Sequence, residues 1–130
     1  MNLLLVSVGR RQYAVAADAV ERIVDPALEP EFHREPQARE ATHRGERYPV
    51  VDLHDMSGER RGDRCVYLFL AAGGRRAVVP VDGAEAIRDV PAAAIAPLPS
   101  YIFTCDRRPF RGIFSDGRRA RLLLDEGALP

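Results

Sequence analysis

Apolar residues in this chain occur in short runs that are separated by glycine, proline and charged residues. Runs of this length bounded by turn residues are typical of β-strands. Gly9-Arg10-Arg11 and Gly73-Gly74-Arg75-Arg76 each lie between two such runs and predict hairpin turns. The predicted strands cover residues 3–8, 13–16, 21–24, 48–53, 66–70, 77–81, 101–103, 110–114 and 121–124. No segment keeps a helical period over three turns, so the pattern predicts a mainly β protein with short helical turns.

The segments between these runs have a different character. Residues 25–42 contain three prolines, one histidine and few apolar residues, which predicts a long surface loop. Asp18 is a preferred first residue of a helix and predicts one helical turn over 18–20. Residues 54–58 predict a turn or a short helix, and residues 91–99 a proline-bounded linker around Ile95.

The two halves of the sequence resemble each other. Asp18, Glu21, Ile23 and Asp25 match Asp82, Glu85, Ile87 and Asp89, in each case 64 positions later. Two further matches pair Arg44-Gly45 with Arg111-Gly112 and Val51-Asp52-Leu53 with Leu124-Asp125-Glu126. This repeat predicts two stacked small barrels, one over about 1–62 and one over about 63–130. A unit of about 60 residues is marginally stable alone, so we expect a single domain over 1–130 with a shared core.

Charge and composition limit the classes of partner. The 130 residues include 19 arginines, no lysine and 19 acidic residues, which gives a net charge of zero. Arg-Arg pairs fall at 10–11, 60–61, 75–76, 107–108 and 118–119, mostly in predicted turns. An oligonucleotide-binding barrel would use such arginines together with exposed aromatic rings. The aromatic residues in question fit core positions better, so we predict no nucleic-acid partner; they are Tyr13, Tyr67, Phe69, Tyr101 and Phe103.

Residues with catalytic or metal-binding chemistry are sparse. Asp52, His54 and Asp55 form the closest cluster, but further metal ligands are missing nearby, and solvated side chains at a strand end explain it better. Neither Cys65 nor Cys105 has a histidine beside it, and their spacing gives no disulfide framework. The longest apolar run, over 65–72, is too short to cross a membrane. We therefore predict a cytoplasmic protein that is not an enzyme, with no cofactor, no metal and no membrane insertion.

The order of these signals resembles the CheW-like domain, the chemotaxis coupling module. The resemblance rests on Arg44-Gly45 before Pro49-Val50-Val51-Asp52-Leu53, and on Val81-Asp82-Gly83 in the second half, within an ordered set that covers essentially the whole chain. It implies two five-stranded SH3-like barrels around a shared hydrophobic core. It also implies a non-enzymatic adaptor that couples the cytoplasmic tips of chemoreceptors to the regulatory domain of a CheA-type histidine kinase.

The resemblance also implies the partner-binding residues. Val20 and Ile23 would line an apolar groove that takes the receptor helical hairpin. Arg44 matches the family's arginine at the turn before the Pro-Val-Val-Asp-Leu segment, and Gly45 would permit the backbone of that turn. Arg22 stands where the family often has a polar or acidic residue.

One segment departs from the family pattern. Where the family has approximately Gly-Val-Ile-Asn-Leu-Arg-Gly, this chain has Arg39-Glu40-Ala41-Thr42-His43-Arg44-Gly45. Charged residues beside an apolar groove would weaken docking of the receptor or change the partner. Two alternatives therefore stay open: a diverged CheW-like module that serves another signalling assembly, and a surface segment with the groove elsewhere.

Overall fold

The computed structural model describes residues 1–60, 62, 64–98, 110–117 and 119–130. Within these ranges the chain is mainly β, as predicted, with one α-helix, α1 (Leu53–Ser57), and single 3-10 turns at Ala17–Ala19, Ala92–Ala94 and Glu126–Ala128. The strands are β1 (Asn2–Val8), β2 (Arg11–Ala16), β3 (Val20–Val24), β4 (Phe32–His33), β5 (Glu40–His43), β6 (Glu46–Pro49), β7 (Val66–Ala72), β8 (Arg75–Val81), β9 (Gly83–Asp89), β10 (Ala96–Pro97), β11 (Phe110–Asp116) and β12 (Arg119–Leu124).

Strand pairing reveals the repeat that the sequence predicts. One sheet has the order β10-β11-β12-β2-β1-β9, and two three-stranded sheets have the orders β4-β5-β6 and β3-β7-β8. A parallel bridge from Val50 to Val78 connects the two smaller sheets beside β6 and β8. Taken together, the two smaller sheets have the strand order β4-β5-β6-β8-β7-β3. This order matches that of the large sheet, β10-β11-β12-β2-β1-β9, when each strand is compared with its equivalent in the other half of the repeat. The bridge corresponds to the parallel pair Leu123–Ala14 of the large sheet.

The two halves exchange strands. The third strand of each half pairs with the first strand of the other, β9 with β1 and β3 with β7. Consequently β1 and β2 share a sheet with β9–β12, whereas β7 and β8 share one with β3. The large sheet and the β3-β7-β8 sheet therefore combine strands from both sides of residue 62, because the most apolar hairpin of each half is paired with the other half.

Three groups of buried side chains make up the core. The largest, here called the central core, takes residues from both halves, including Val6, Val15, Leu68, Val79 and Leu124. A second group lies within the large sheet, around Leu3, Phe114 and Leu123. The third is the aromatic cluster, defined here as Phe32, Tyr67 and Phe69 together with the buried side chains of Val24, Ala41 and Val78.

Local predictions had mixed outcomes. The two hairpins and the strands near 110–114 and 121–124 are confirmed. The predicted loop over 25–42 is partly wrong, because Phe32 and Ala41 are buried in the aromatic cluster and lie on β4 and β5. The predicted strand over 48–53 ends at Pro49, since Asp52 accepts hydrogen bonds from the backbone of His54 and Asp55 and starts α1. The predicted strand over 101–103 and Cys105 lie outside the described residues.

Candidate partner-binding site

A β-bulge places Val20 and Ile23 on the same face of β3. Val20 pairs with Leu70 and Ile23 with Leu68, and the register shifts between Val20 and Arg22. Residues three apart on a regular strand point to opposite faces, but a bulge adds one residue and restores a common face. Val20 packs against the central core, and Ile23 on that face is 46% exposed. β3 therefore presents one half-buried and one exposed aliphatic side chain together.

The same bulge recurs in the second half. In β9 the register shifts opposite Leu5 and Val6, which pair with Ala86 and Ala84, so that Glu85 is the additional residue. Glu85 is the sequence equivalent of Glu21, and Ile87, the equivalent of Ile23, is also exposed. The repeat thus extends to the irregularities of its edge strands.

Arg22 points to the opposite face of β3, toward the aromatic cluster. Its guanidinium carbon lies 5.9 Å from the centroid of the Phe69 ring. The rings of His43 and Tyr48, at 5.2 and 4.9 Å, contact the same ring edge-on. Phe69 therefore connects β3 to the β5–β6 hairpin that carries Arg44 and Gly45.

Arg44 and Gly45 form the two-residue turn of that hairpin. His43 pairs with Glu46, and both turn residues have positive φ, 53° and 81°. Two positive φ values are typical of the type I′ turn, which suits the twist of a hairpin and favours glycine. The Arg44 side chain is exposed and its Nε donates to Glu31 Oε2 at 2.7 Å. Hydrogen bonding to Glu31 and its charge raise the pKa of Arg44 above its ordinary value, so the site keeps its cation.

In the segment over 39–45, which departs from the family pattern, alternate side chains of β5 are buried. Ala41 and His43 point into the aromatic cluster, and His43 Nε2 lies 2.9 Å from Glu29 Oε2. Arg39 and Glu40 are exposed. Arg39 and Glu40 are therefore the charged departures from the family pattern that reach solvent, beside the exposed Arg44 that matches the pattern.

A buried charged cluster lies apart from these residues. His54 on α1 is 1% exposed, and its Nε2 donates to Asp82 Oδ1 at 2.8 Å. Asp82 also accepts hydrogen bonds from the backbone N–H groups of Gly9 and Gly62. Asp52, which begins α1, pairs with the buried Arg34 at 3.0 Å. The interpretation of Asp52 and His54 as solvated residues on one strand face is therefore wrong.

Burial and charge oppose each other in this cluster. Burial lowers the pKa of His54, but the Asp52 and Asp82 carboxylates outweigh it and raise this pKa above its ordinary value. Burial likewise raises the pKa of Asp82, but hydrogen bonds from Gly9, His54 and Gly62 outweigh it and lower this pKa. Both shifts favour a charged pair. In the sequence, Asp82 stands out only as the repeat equivalent of Asp18, and this equivalence does not indicate a contact with His54.

Other functional groups of the described chain are few. Among the described residues, no group of three or more His, Cys, Asp or Glu side chains has an arrangement that could hold a metal ion. No helix in the described part is long and apolar enough to span a membrane. Tyr13, Tyr67 and Phe69 are buried, as predicted, and so offer no open ring face for a nucleic-acid base.

The sequence profile of the CheW-like domain matches residues 2–129. The chain belongs to the CheW-like family. A search of curated proteins gives no significant match.

Among solved structures, this CheW-like chain is similar to the crystal structure of the scaffolding protein TtCheW from Thermoanaerobacter tengcongensis. The TM-score is 0.76 at 18% identity, over 95% of this chain and 82% of the other. At this identity the structural likeness shows a shared fold. The family assignment makes the chain a CheW-like scaffold domain of chemotaxis signalling.

Proposed function

We propose that this CheW-like chain is a non-enzymatic, cytoplasmic adaptor that couples chemoreceptors to a CheA-type histidine kinase by protein–protein binding. The observation that carries the proposal is the bulged edge strand β3, which presents Val20 and Ile23 on one face while Ile23 remains exposed. A scaffold must keep such apolar side chains accessible, because burying them in its own core would leave nothing for a partner to cover.

The receptor contact is assigned to this face of β3. A receptor tip is a helical hairpin, and an amphipathic helix docks by placing apolar side chains against an apolar groove. Val20 is partly buried against the central core, and Ile23 contributes the exposed apolar surface that docking of the receptor would bury. The finer architecture that accompanies this proposal is two five-stranded SH3-like barrels, with the groove beside their shared core.

Arg22, Arg44 and Gly45 are assigned to a neighbouring contact, for which the kinase regulatory domain is the partner. Arg44 extends from a turn that Gly45 permits and that is anchored through His43 and Tyr48 on Phe69. Arginine on such a rigid turn suits recognition of a carboxylate. Because Arg22 lies against the same ring, the strand and the turn would meet a partner as one surface.

The test is a pair of titrations, one with the kinase regulatory domain and one with a receptor-tip fragment from the same organism. Ile23→Asp removes an exposed aliphatic contact and introduces a charge, so receptor affinity should fall about tenfold while kinase affinity changes little. Leu28→Asp is the matched control, since Leu28 is another exposed aliphatic residue, in the loop after β3. Equal receptor binding by the two variants would contradict the assignment of β3.

A second candidate is a diverged CheW-like module of another signalling assembly. It is favoured by the exposed charges of Arg39 and Glu40 at the start of β5, where the family pattern is apolar or small. This candidate predicts kinase binding without receptor binding. Restoration of receptor binding by Arg39→Gly with Glu40→Val would support it.

A further inference from the structure

A large open cleft lies on the large sheet, where β2 and β12 run side by side. It has a volume of about 890 Å³. Its apolar part includes the half-buried side chains of Ile113 on β11 and Leu122 on β12. Pockets of several hundred Å³ with an apolar lining and a few polar groups are typical of binding sites. Here the polar groups are three arginines and Gln12.

Three guanidinium groups surround the cleft, from Arg10, Arg11 and Arg119, and none of its described lining residues is acidic. Glu59 pairs with both hairpin arginines, at 3.9 Å from Arg10 Nε and 3.8 Å from Arg11 Nε, so that one carboxylate serves two guanidinium groups. No ion pair joins Arg119 to any residue of the described chain. The rim therefore keeps a net positive charge, because within the described chain the single carboxylate of Glu59 faces three guanidinium groups.

The repeat supplies an internal comparison. In the equivalent hairpin of the second half, the Arg76 guanidinium pairs with Glu46 at 2.8 Å and lies over the Tyr48 ring. Arg75 in the same hairpin donates to the backbone carbonyls of Gly127 and Leu129. Arg75 and Arg76 thus have separate partners at hydrogen-bond distance, whereas Arg10 and Arg11 share the more distant carboxylate of Glu59.

We propose that this cleft binds an acidic segment of a partner protein, in which carboxylates pair with the arginine rim and an apolar side chain fills the floor. Charge complementarity selects the partner, because an anionic segment gains from every rim arginine while a basic one is repelled. The apolar floor favours a peptide over a fully polar anion, since burial of an apolar side chain on this floor adds a favourable hydrophobic contribution that a fully polar anion lacks. The cleft lies on a different sheet from β3, so an adaptor could use both surfaces together.

The probe is a short fluorescein-labelled peptide of alternating Glu and Leu, followed by fluorescence anisotropy with the full chain. Arg119→Glu should weaken binding about fivefold or more, because it replaces an attraction at the rim with a repulsion. Arg47→Glu is the matched control, as Arg47 is exposed on β6 and has no ion pair within the described chain. It changes the net charge equally and should change the affinity less than about twofold.

Two further arms make the result decisive. A peptide with Ser in place of Leu should bind more weakly, because it lacks the apolar side chain for the floor. The Ile23→Asp variant should bind the original peptide with the affinity of the unaltered chain, and this result would separate the cleft from the proposed receptor contact. Absence of peptide binding, or equal weakening by Arg47→Glu and Arg119→Glu, would overturn the proposal. Binding of a labelled oligothymidylate that depends on Arg119 and exceeds binding of the peptide would also overturn it, in favour of a nucleic-acid site.

Discussion

Replacing His54 with glutamine tests the buried charged cluster that connects α1 to the β8–β9 junction. His54 is almost fully buried and donates to Asp82, which also holds the β1–β2 turn through the N–H of Gly9. Glutamine is neutral at every pH used, and its amide can still donate one hydrogen bond to Asp82. The substitution therefore removes the charge on the His54 side while retaining a polar partner.

The expected magnitude follows from the burial of the pair. A hydrogen bond between charged groups contributes about 1.5–3 kcal/mol, and we expect about 2 kcal/mol here because the Asp82 side chain keeps some contact with water. The folded-state pKa of His54 is raised above its ordinary value. Its stabilisation is therefore fully present below about pH 6.5 and is lost as the pH rises through the folded-state pKa.

The assay is urea denaturation at several pH values between about 6 and 9, with the free energy of unfolding and its denaturant slope fitted separately. The unaltered chain should lose up to about 2 kcal/mol of stability across this range, and His54→Gln should be less stable at the acidic end with a nearly flat profile. His33→Gln is the control, since His33 pairs with Glu35 on the surface and an exposed pair contributes little to stability.

Two results would refute the reasoning. If His54→Gln kept the full pH dependence of the unaltered chain, the titration would belong to another group. If the unaltered chain became more stable as the pH rose above 6.5, the neutral ring would be the favoured form and the charged pair with Asp82 would not exist.

Two further predictions concern backbone and charge. Gly45→Ala should destabilise the β5–β6 hairpin by about 1 kcal/mol in denaturation, because φ at this position is 81°, and Gly45→Asn should cost less; equal effects would argue against a conformational cause. Arg121 is buried and donates hydrogen bonds to the carbonyls of Val6 and Tyr13 and to Asp116, whereas Arg119 is exposed. Arg121→Met should therefore lower the free energy of unfolding by about 3 kcal/mol, and Arg119→Met by less than about 0.5 kcal/mol. Similar thermal midpoints for these two methionine variants would contradict the structural role of Arg121.

The sequence was most informative where local pattern and fold agree. Apolar runs bounded by Gly9 and by Gly73-Gly74 determine the two hairpins, because such turns need only local backbone chemistry. The repeat identified Glu21 and Glu85 as equivalents, and both are the bulged residues of their strands.

Non-local contacts explain what the sequence did not reveal. Phe32 stands alone among polar residues, and only its packing against Tyr67 and Phe69 makes a strand of its segment. His54 meets Asp82 across 28 positions, a pairing that no local spacing encodes. The exchange of strands between halves depends on which apolar edges meet in three dimensions, whereas the repeat itself only indicates that two similar units exist.

Assembly of a ternary complex tests the central claim most directly. The full chain would be mixed with a CheA-type kinase and with receptor-containing vesicles from the same organism, and the pelleted kinase would be measured. The adaptor proposal predicts that kinase pellets with the vesicles only when the chain is present, and that Ile23→Asp reduces this while Leu28→Asp does not. Kinase that binds the chain in solution but stays out of the pellet would contradict the coupling role and leave a CheW-like module with a different second partner.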